Sequence, residues 1–144
     1  MTHAYLFDTD AIVEVLRSSA PEAYLHWLRS VPEEAQFVST VTLAELFRGA
    51  YRVRRPDVHV RALNERVVPS LRPVPFGSEE ARAYGRITAE LDAGGRTIAH
   101  ADAQIAATAV THDLVLVTGN LKHMERVPGL RIERVLARAR REGP

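Results

Sequence analysis

An α/β fold with a mainly parallel central sheet flanked by helices is predicted by three observations. Short apolar runs alternate with helically periodic segments along the chain, the pattern of strands joined by crossover helices. The clearest run, Leu114 to Thr118 (LVLVT), is apolar without alternation, as in a strand covered on both faces. The first run, Ala4 to Phe7, stops at once in Asp8, Thr9 and Asp10 and turns into a helical pattern. Open α/β sheets build their sites in this way, beyond the carboxyl ends of their strands near a topological switch point.

The elements follow in order. After the first strand, Ile12, Val13, Val15 and Leu16 form the apolar face of a helix. Asp8 is placed to cap it, and Asp10 suits the positive end of its dipole. Pro21 fits an early position of a second helix, with Ala23, Tyr24, Trp27 and Leu28 facing inward. Gln36 to Val41 (QFVSTV) reads as a second strand rich in β-formers. Thr42 then caps a helix, with Glu45 at capping-box spacing and Leu43, Leu46, Phe47 and Ala50 turned inward. Pro56 separates this helix from a helical stretch over Asp57 to Val68. The three prolines between Pro69 and Phe76 make a connector with a short edge strand. Ser78 caps a long helix that ends at Gly94 and Gly95. Another helix spans about Ala99 to Thr111, its small residues allowing close approach to the sheet. Gly129 precedes a last strand, Leu130 to Val135. From about Ala137 the chain is a basic, frayed tail.

Bulk properties narrow the class. A length of 144 residues predicts one domain with one core. No run approaches a membrane span, and no basic segment leads into a long apolar stretch at the N-terminus. The chain contains no cysteine, which excludes disulfides and thiolate metal sites and suits a cytoplasmic location. A net charge of +1 gives no whole-molecule nucleic-acid signal, so the distribution of charge matters more than its sum.

Three carboxylates fall at element junctions: Asp8 after the first strand, Glu45 one turn into the helix after the second, and Asp102 in the first turn of the helix before LVLVT. Each has an ordinary role available, as cap, capping-box partner or dipole-matched surface acid. Together at one sheet edge they make an all-oxygen site for a hard ion such as Mg²⁺ or Mn²⁺.

The segments LFDTDAIVEVL, VSTVTLAELFRGA, HADAQIAATAV and LVLVTGNLKHMERVPGLRI are similar, in order and spacing, to those of the PIN-domain ribonucleases, specifically the VapC-like toxins of bacterial toxin–antitoxin modules. The resemblance implies a three-layer sandwich around a parallel sheet, with Asp8, Glu45 and Asp102 as the acidic metal-binding set. It also implies a homodimer bound by a VapB-like antitoxin whose C-terminal segment covers the active site. Two departures stand out. Where many relatives carry a fourth acid this chain has Asn120, whose amide oxygen can hold a metal-bound water, and where some carry an Asp–aromatic pair it has His123 and Met124. Asp10 replaces a usual Asn and adds an acid beside the site.

The chemistry implied is Mg²⁺-dependent hydrolysis of RNA phosphodiester bonds by metal-activated water, with Asp8, Glu45 and Asp102 as ligands directly or through water. Glu45 and Asp10 are the two acids open to a role as base. Thr9 and Thr118 are placed to orient carboxylates by hydrogen bonds. Arg48 and Arg52 lie three and seven residues after Glu45 and are candidate RNA contacts. Arg54 and Arg55, and Arg138, Arg140 and Arg141 in the tail, extend the basic character. Tyr24, Trp27, Leu28 and Phe47 form an apolar excess that suits a dimer interface. Two rival readings remain. Asp8-Thr9-Asp10, with Ser39-Thr40, resembles the motifs of haloacid-dehalogenase-like phosphatases, although LVLVTGN lacks the later acid pair of that family. A PIN-like module that has lost catalysis is the non-enzymatic alternative.

Overall fold

The computed structural model describes residues 3–142. Within these residues, five short strands form one sheet: β1 (Tyr5–Phe7), β2 (Gln36–Ser39), β3 (Arg72–Val74), β4 (Val115–Val117) and β5 (Ile132–Glu133). Their spatial order is β3-β2-β1-β4-β5 and every pairing is parallel. The chain first builds outward from β1 through β2 to β3, then crosses back to lay β4 on the other side of β1. That reversal puts the switch point between β1 and β4, where an open sheet leaves a crevice. Phe7 pairs with Val117, and the Asp8 backbone N–H continues the ladder to the Val117 carbonyl at 3.0 Å.

Successive strand residues point to opposite faces, and each face has its own core. Leu6 and Leu116 pack with Ala83, Ile87 and Leu91 of α5 (Ser78–Ala93) and with Ile105, Ala106 and Ala109 of α6 (His100–Thr111). Phe7 and Val117 pack on the other side. Their partners come from α1 (Thr9–Leu16), α2 (Glu22–Arg29), α3 (Thr40–Arg52) and α8 (Val135–Glu142). The result is the expected three-layer sandwich. Two short helices, α4 (Pro56–Ala62) and α7 (Leu121–Met124), complete the helical set. Among the described residues, no helix is long and apolar enough to cross a membrane.

Several boundaries differ from the sequence reading. The cap of α3 is Ser39, whose Oγ accepts the Val41 N–H at 3.1 Å. Thr42 is fully buried inside that helix, so the capping box proposed with Glu45 does not form. The helix start lies three residues earlier because β2 needs only four residues to reach the sheet edge. Gly77 stands at the cap of α5 and Ser78 is its first helical residue. The helical stretch after Pro56 loosens into a π turn at Leu63–Val67 and a 3₁₀ turn at Val68–Ser70.

Two larger corrections concern packing. The basic tail is not frayed: α8 buries Leu136, Ala137 and Ala139, and Leu136 has no exposed surface. Burying a leucine side chain is worth about 1.5–3 kcal/mol, which anchors the helix. The aromatic excess is also spent within the chain. Tyr24 is fully buried, and its hydroxyl donates to the Ala11 carbonyl at 2.9 Å. Trp27 stacks on Tyr24 and meets Tyr5 edge-on at 5.1 Å, while Leu28 and Phe47 pack against the same cluster. These four side chains therefore give no separate support for an interface.

Candidate active site

Asp8 is both the cap of α1 and the most buried acid of the candidate site. With extended backbone angles it follows β1 directly, and its Oδ1 accepts the Thr9 N–H at 2.7 Å. Its Oδ2 accepts the Thr118 hydroxyl at 2.8 Å. The side chain is buried. Burial first, then the charge of Asp10 and more weakly that of Asp102, push its pKa up to about 7 against the lowering pull of the two hydrogen bonds.

Thr9 joins a second acid to the first. While its N–H serves Asp8, its hydroxyl donates to Glu45 Oε1 at 2.7 Å. Glu45 arrives from α3, whose start at the end of β2 brings it to the same sheet edge. Asp102, near the start of α6, is only partly buried. Its pKa is raised by desolvation first and by Glu45 next, with His123 pulling the other way. The Asn120 amide donates to Asp102 Oδ2 at the long distance of 3.5 Å, and its backbone N–H donates to the Thr118 hydroxyl at 3.0 Å. Asn120 thus meets the acids as a donor from its nitrogen.

Asp10 is tied more tightly than the sequence suggested. Its Oδ2 accepts the Gly119 N–H at 3.1 Å and the Arg140 guanidinium at 3.0 Å. Arg140 also donates from Nε to Glu14 at 3.4 Å. Glu14, one turn after Asp10, is buried. Neither Glu14 nor Gly119 was singled out in the sequence, and Arg140 counted only as part of a loose tail. The signal was present in the spacing of Leu136, Ala139 and Arg140, which puts an apolar stripe and a cation on one helix.

The charges of Asp10 and Asp102 are felt at Asp8, and those of Glu45 and Asp10 are felt at Asp102. Among the described residues, no three acidic or histidine side chains converge closely enough to surround one ion by themselves. A hard divalent cation still fits this set. The donors are all oxygen, and Asp10 Oδ1 is buried with no hydrogen-bond partner. Mg²⁺ takes one or two carboxylates directly and keeps several waters, through which the remaining acids can be reached.

The other candidates divide. Arg48 and Arg52 are exposed on α3, and neither pairs with an acid of the cluster. Two histidines that were not candidates are engaged elsewhere: His100 shares a hydrogen bond with the Tyr84 hydroxyl at 2.6 Å, and His112 lies 3.3 Å from Glu80. The phosphatase-like reading loses its second motif: Ser39 is fully buried as a helix cap, and Thr40 Oγ1 accepts the Phe76 N–H. A groove of about 650 Å³ opens beside Thr9 and Glu45, its apolar wall built from Val13, Leu16, Leu46, Ala50, Val58 and Leu63.

The model of the PIN domain matches residues 5–130. The ribonuclease VapC2 of Haemophilus influenzae is 32% identical over 129 residues, which cover 90% of this chain and 96% of that one. The tRNA(fMet)-specific endonuclease VapC of Salmonella typhimurium is 30% identical with the same coverage. The crystal structure of DNA-bound VapBC from Salmonella typhimurium superposes with a TM-score of 0.83 at 30% identity, covering 92% of this chain and 98% of that one.

Proposed function

This chain belongs to the PIN-domain family, and we propose that it is a divalent-metal-dependent endoribonuclease of a toxin–antitoxin pair, working at the rim formed by Asp8, Glu45 and Asp102. Hydrolysis of RNA phosphodiester bonds is the activity of the VapC relatives it resembles over nearly its whole length. The observation that carries the site is the gathering of four carboxylates at the β1–β4 switch point, with the most buried of them raised to about 7 by its surroundings.

Mg²⁺, or Mn²⁺ in its place, would be held by Asp8, Glu45 and Asp102 directly or through water, and would supply an oriented, acidified water and a counter-charge for the phosphate. The chain's own residues prepare that place. Thr9 fixes Asp8 through its N–H and Glu45 through its hydroxyl, so two acids from different elements share one support. Thr118 holds the second oxygen of Asp8 and accepts the N–H of Asn120, which sets the start of α7 against Asp102. Asp8 yields its proton when positive charge is brought beside it, since its raised pKa comes from burial and neighbouring acids. Arg48 and Arg52, exposed on the helix that carries Glu45, are suited to the phosphates flanking the cleaved bond.

The partner is a VapB-like antitoxin. The apolar groove that runs from Thr9 and Glu45 suits a short amphipathic segment that ends in a basic side chain at the acids, blocking cation and RNA alike. We propose a homodimer as well, supported by Tyr51 and Val53, large apolar side chains outside that groove left 64% and 39% exposed. A monomer at micromolar concentration in a sedimentation experiment would overturn it.

The decisive experiment is cleavage of folded RNA by the purified chain with Mg²⁺ or Mn²⁺, repeated after chelation and with Asp8→Asn. Activity lost in both controls is expected. Cleavage that survives thorough chelation would overturn the mechanism. Cation binding without any cleavage would leave the catalytically inactive module as the better reading.

A further inference from the structure

Arg140 comes to the acid rim from the opposite end of the chain. Its guanidinium forks across one turn of α1, to Asp10 at 3.0 Å through Nη1 and to Glu14 at 3.4 Å through Nε. The planar fork suits two acids four residues apart on one helix face. The helix that delivers it is fixed, because Leu136 and Ala139 are buried among Phe7, Ala11 and Tyr24. The space it enters is kept by Gly119: a Cβ there would lie 2.0 Å from Arg140 Nη1 and 2.7 Å from Asp10 Oδ2. Gly119 also donates its N–H to the same Asp10 oxygen. A buried anchor, two acceptors and a side-chain-free gap thus place one cation on an acid of the cluster.

We infer that Arg140 is a positioning residue that sets the divalent-cation affinity of the rim, acting as a resident counter-charge that weakens capture of the ion. The inference rests on the cation-dependent reading given above. Asp10 is felt electrostatically at both Asp8 and Asp102, so the charge that sits on Asp10 is felt there too. With Arg140 in place, Asp10 contributes little net field. Without it, the rim gains one uncompensated negative charge. Both partners of the pair are about one-third exposed, so the effect is moderated by solvent and screened by salt.

The test is Mn²⁺ binding by titration calorimetry, without RNA, at pH 8 and low ionic strength, on chains that keep a cooperative melt. Arg140→Gln should tighten Mn²⁺ binding by about fivefold, and Asp10→Asn should weaken it by about the same factor. The double variant Asp10→Asn with Arg140→Gln should return close to the native affinity, since it removes one charge of each sign. Arg140→Lys should stay within about twofold of native, and all differences should shrink in high salt. Weaker or unchanged binding in Arg140→Gln would make Arg140 structural and overturn the inference. Should that variant fail to fold, an Asp10→Asn chain with native affinity would overturn it equally. A native chain that binds no Mn²⁺ would bring down the cation reading and this inference with it, an outcome distinct from altered order among variants that do bind.

Discussion

Thr118 gives its hydroxyl hydrogen to Asp8 Oδ2 at 2.8 Å, joining residues 110 positions apart in sequence and adjacent at the end of paired strands. The contact orients the central carboxylate and opposes the rise in its pKa. Thr118→Val keeps the shape of a fully buried side chain and removes that donor. It also strips the Asn120 N–H of its acceptor. Supporting residues of this kind typically change metal affinity or activity by about 10–100-fold. We expect a loss of that order in RNA cleavage at neutral pH, with the pH–rate profile displaced upward. An unchanged profile would remove Thr118 from the site.

The stability of the cation-free chain should depend on pH through Asp8. Its pKa is about 7 in the folded chain against an ordinary 3.8. A folded value above the unfolded one means that the folded chain holds the proton more tightly. The stabilisation is full below about 3.8 and is lost as pH rises through about 7. Asp102 is shifted in the same direction. The melting temperature without divalent cation should therefore fall between about pH 4 and pH 8. Asp8→Asn should flatten that slope, and millimolar Mg²⁺ should recover stability at pH 8. A native slope retained in Asp8→Asn would show that other groups cause it.

Asp102→Asn tests whether an acid that is half open to solvent does chemistry or supports the fold. Its pKa is raised by desolvation and by Glu45, so neutralising it relieves repulsion in the absence of a cation. Cleavage should fall by about 100-fold, while the melting temperature of the cation-free chain stays level or rises. Collapse of the melt would make Asp102 structural.

Leu136→Ala measures the hold of α8. The leucine is fully buried against Phe7, Ala11 and Val117. Truncation of such a residue costs about 2–5 kcal/mol, which chemical denaturation will resolve. A change below about 0.5 kcal/mol would return the C-terminal stretch to the loose tail that its charge suggested.

The strands, the acid-bearing junctions and the three-layer order were legible in the sequence because they are written in local patterns. An apolar run that stops at Asp8 reports both a buried strand and its exposed end, and LVLVT reports the sheet's centre. Glu45 and Asp102 could be placed for the same reason, Asp102 in the first turn of its helix and Glu45 in the second turn of α3. Local patterns also misled: Thr42 and Ser78 both look like caps, but the helix starts were decided by how far β2 extends and by the turn at Gly77. Trp27 and Tyr24 looked surplus because nothing local says which aromatics a core will absorb. Arg140 was the least legible residue, since its role depends on Leu136 and Ala139 finding the far face of α1 and on Gly119 leaving a gap 21 residues earlier. Charge along a chain is read from neighbours in sequence, whereas the field at a carboxylate is set by neighbours in space, and only the packing of α8 against β1 and α1 decided that a cation would stand there.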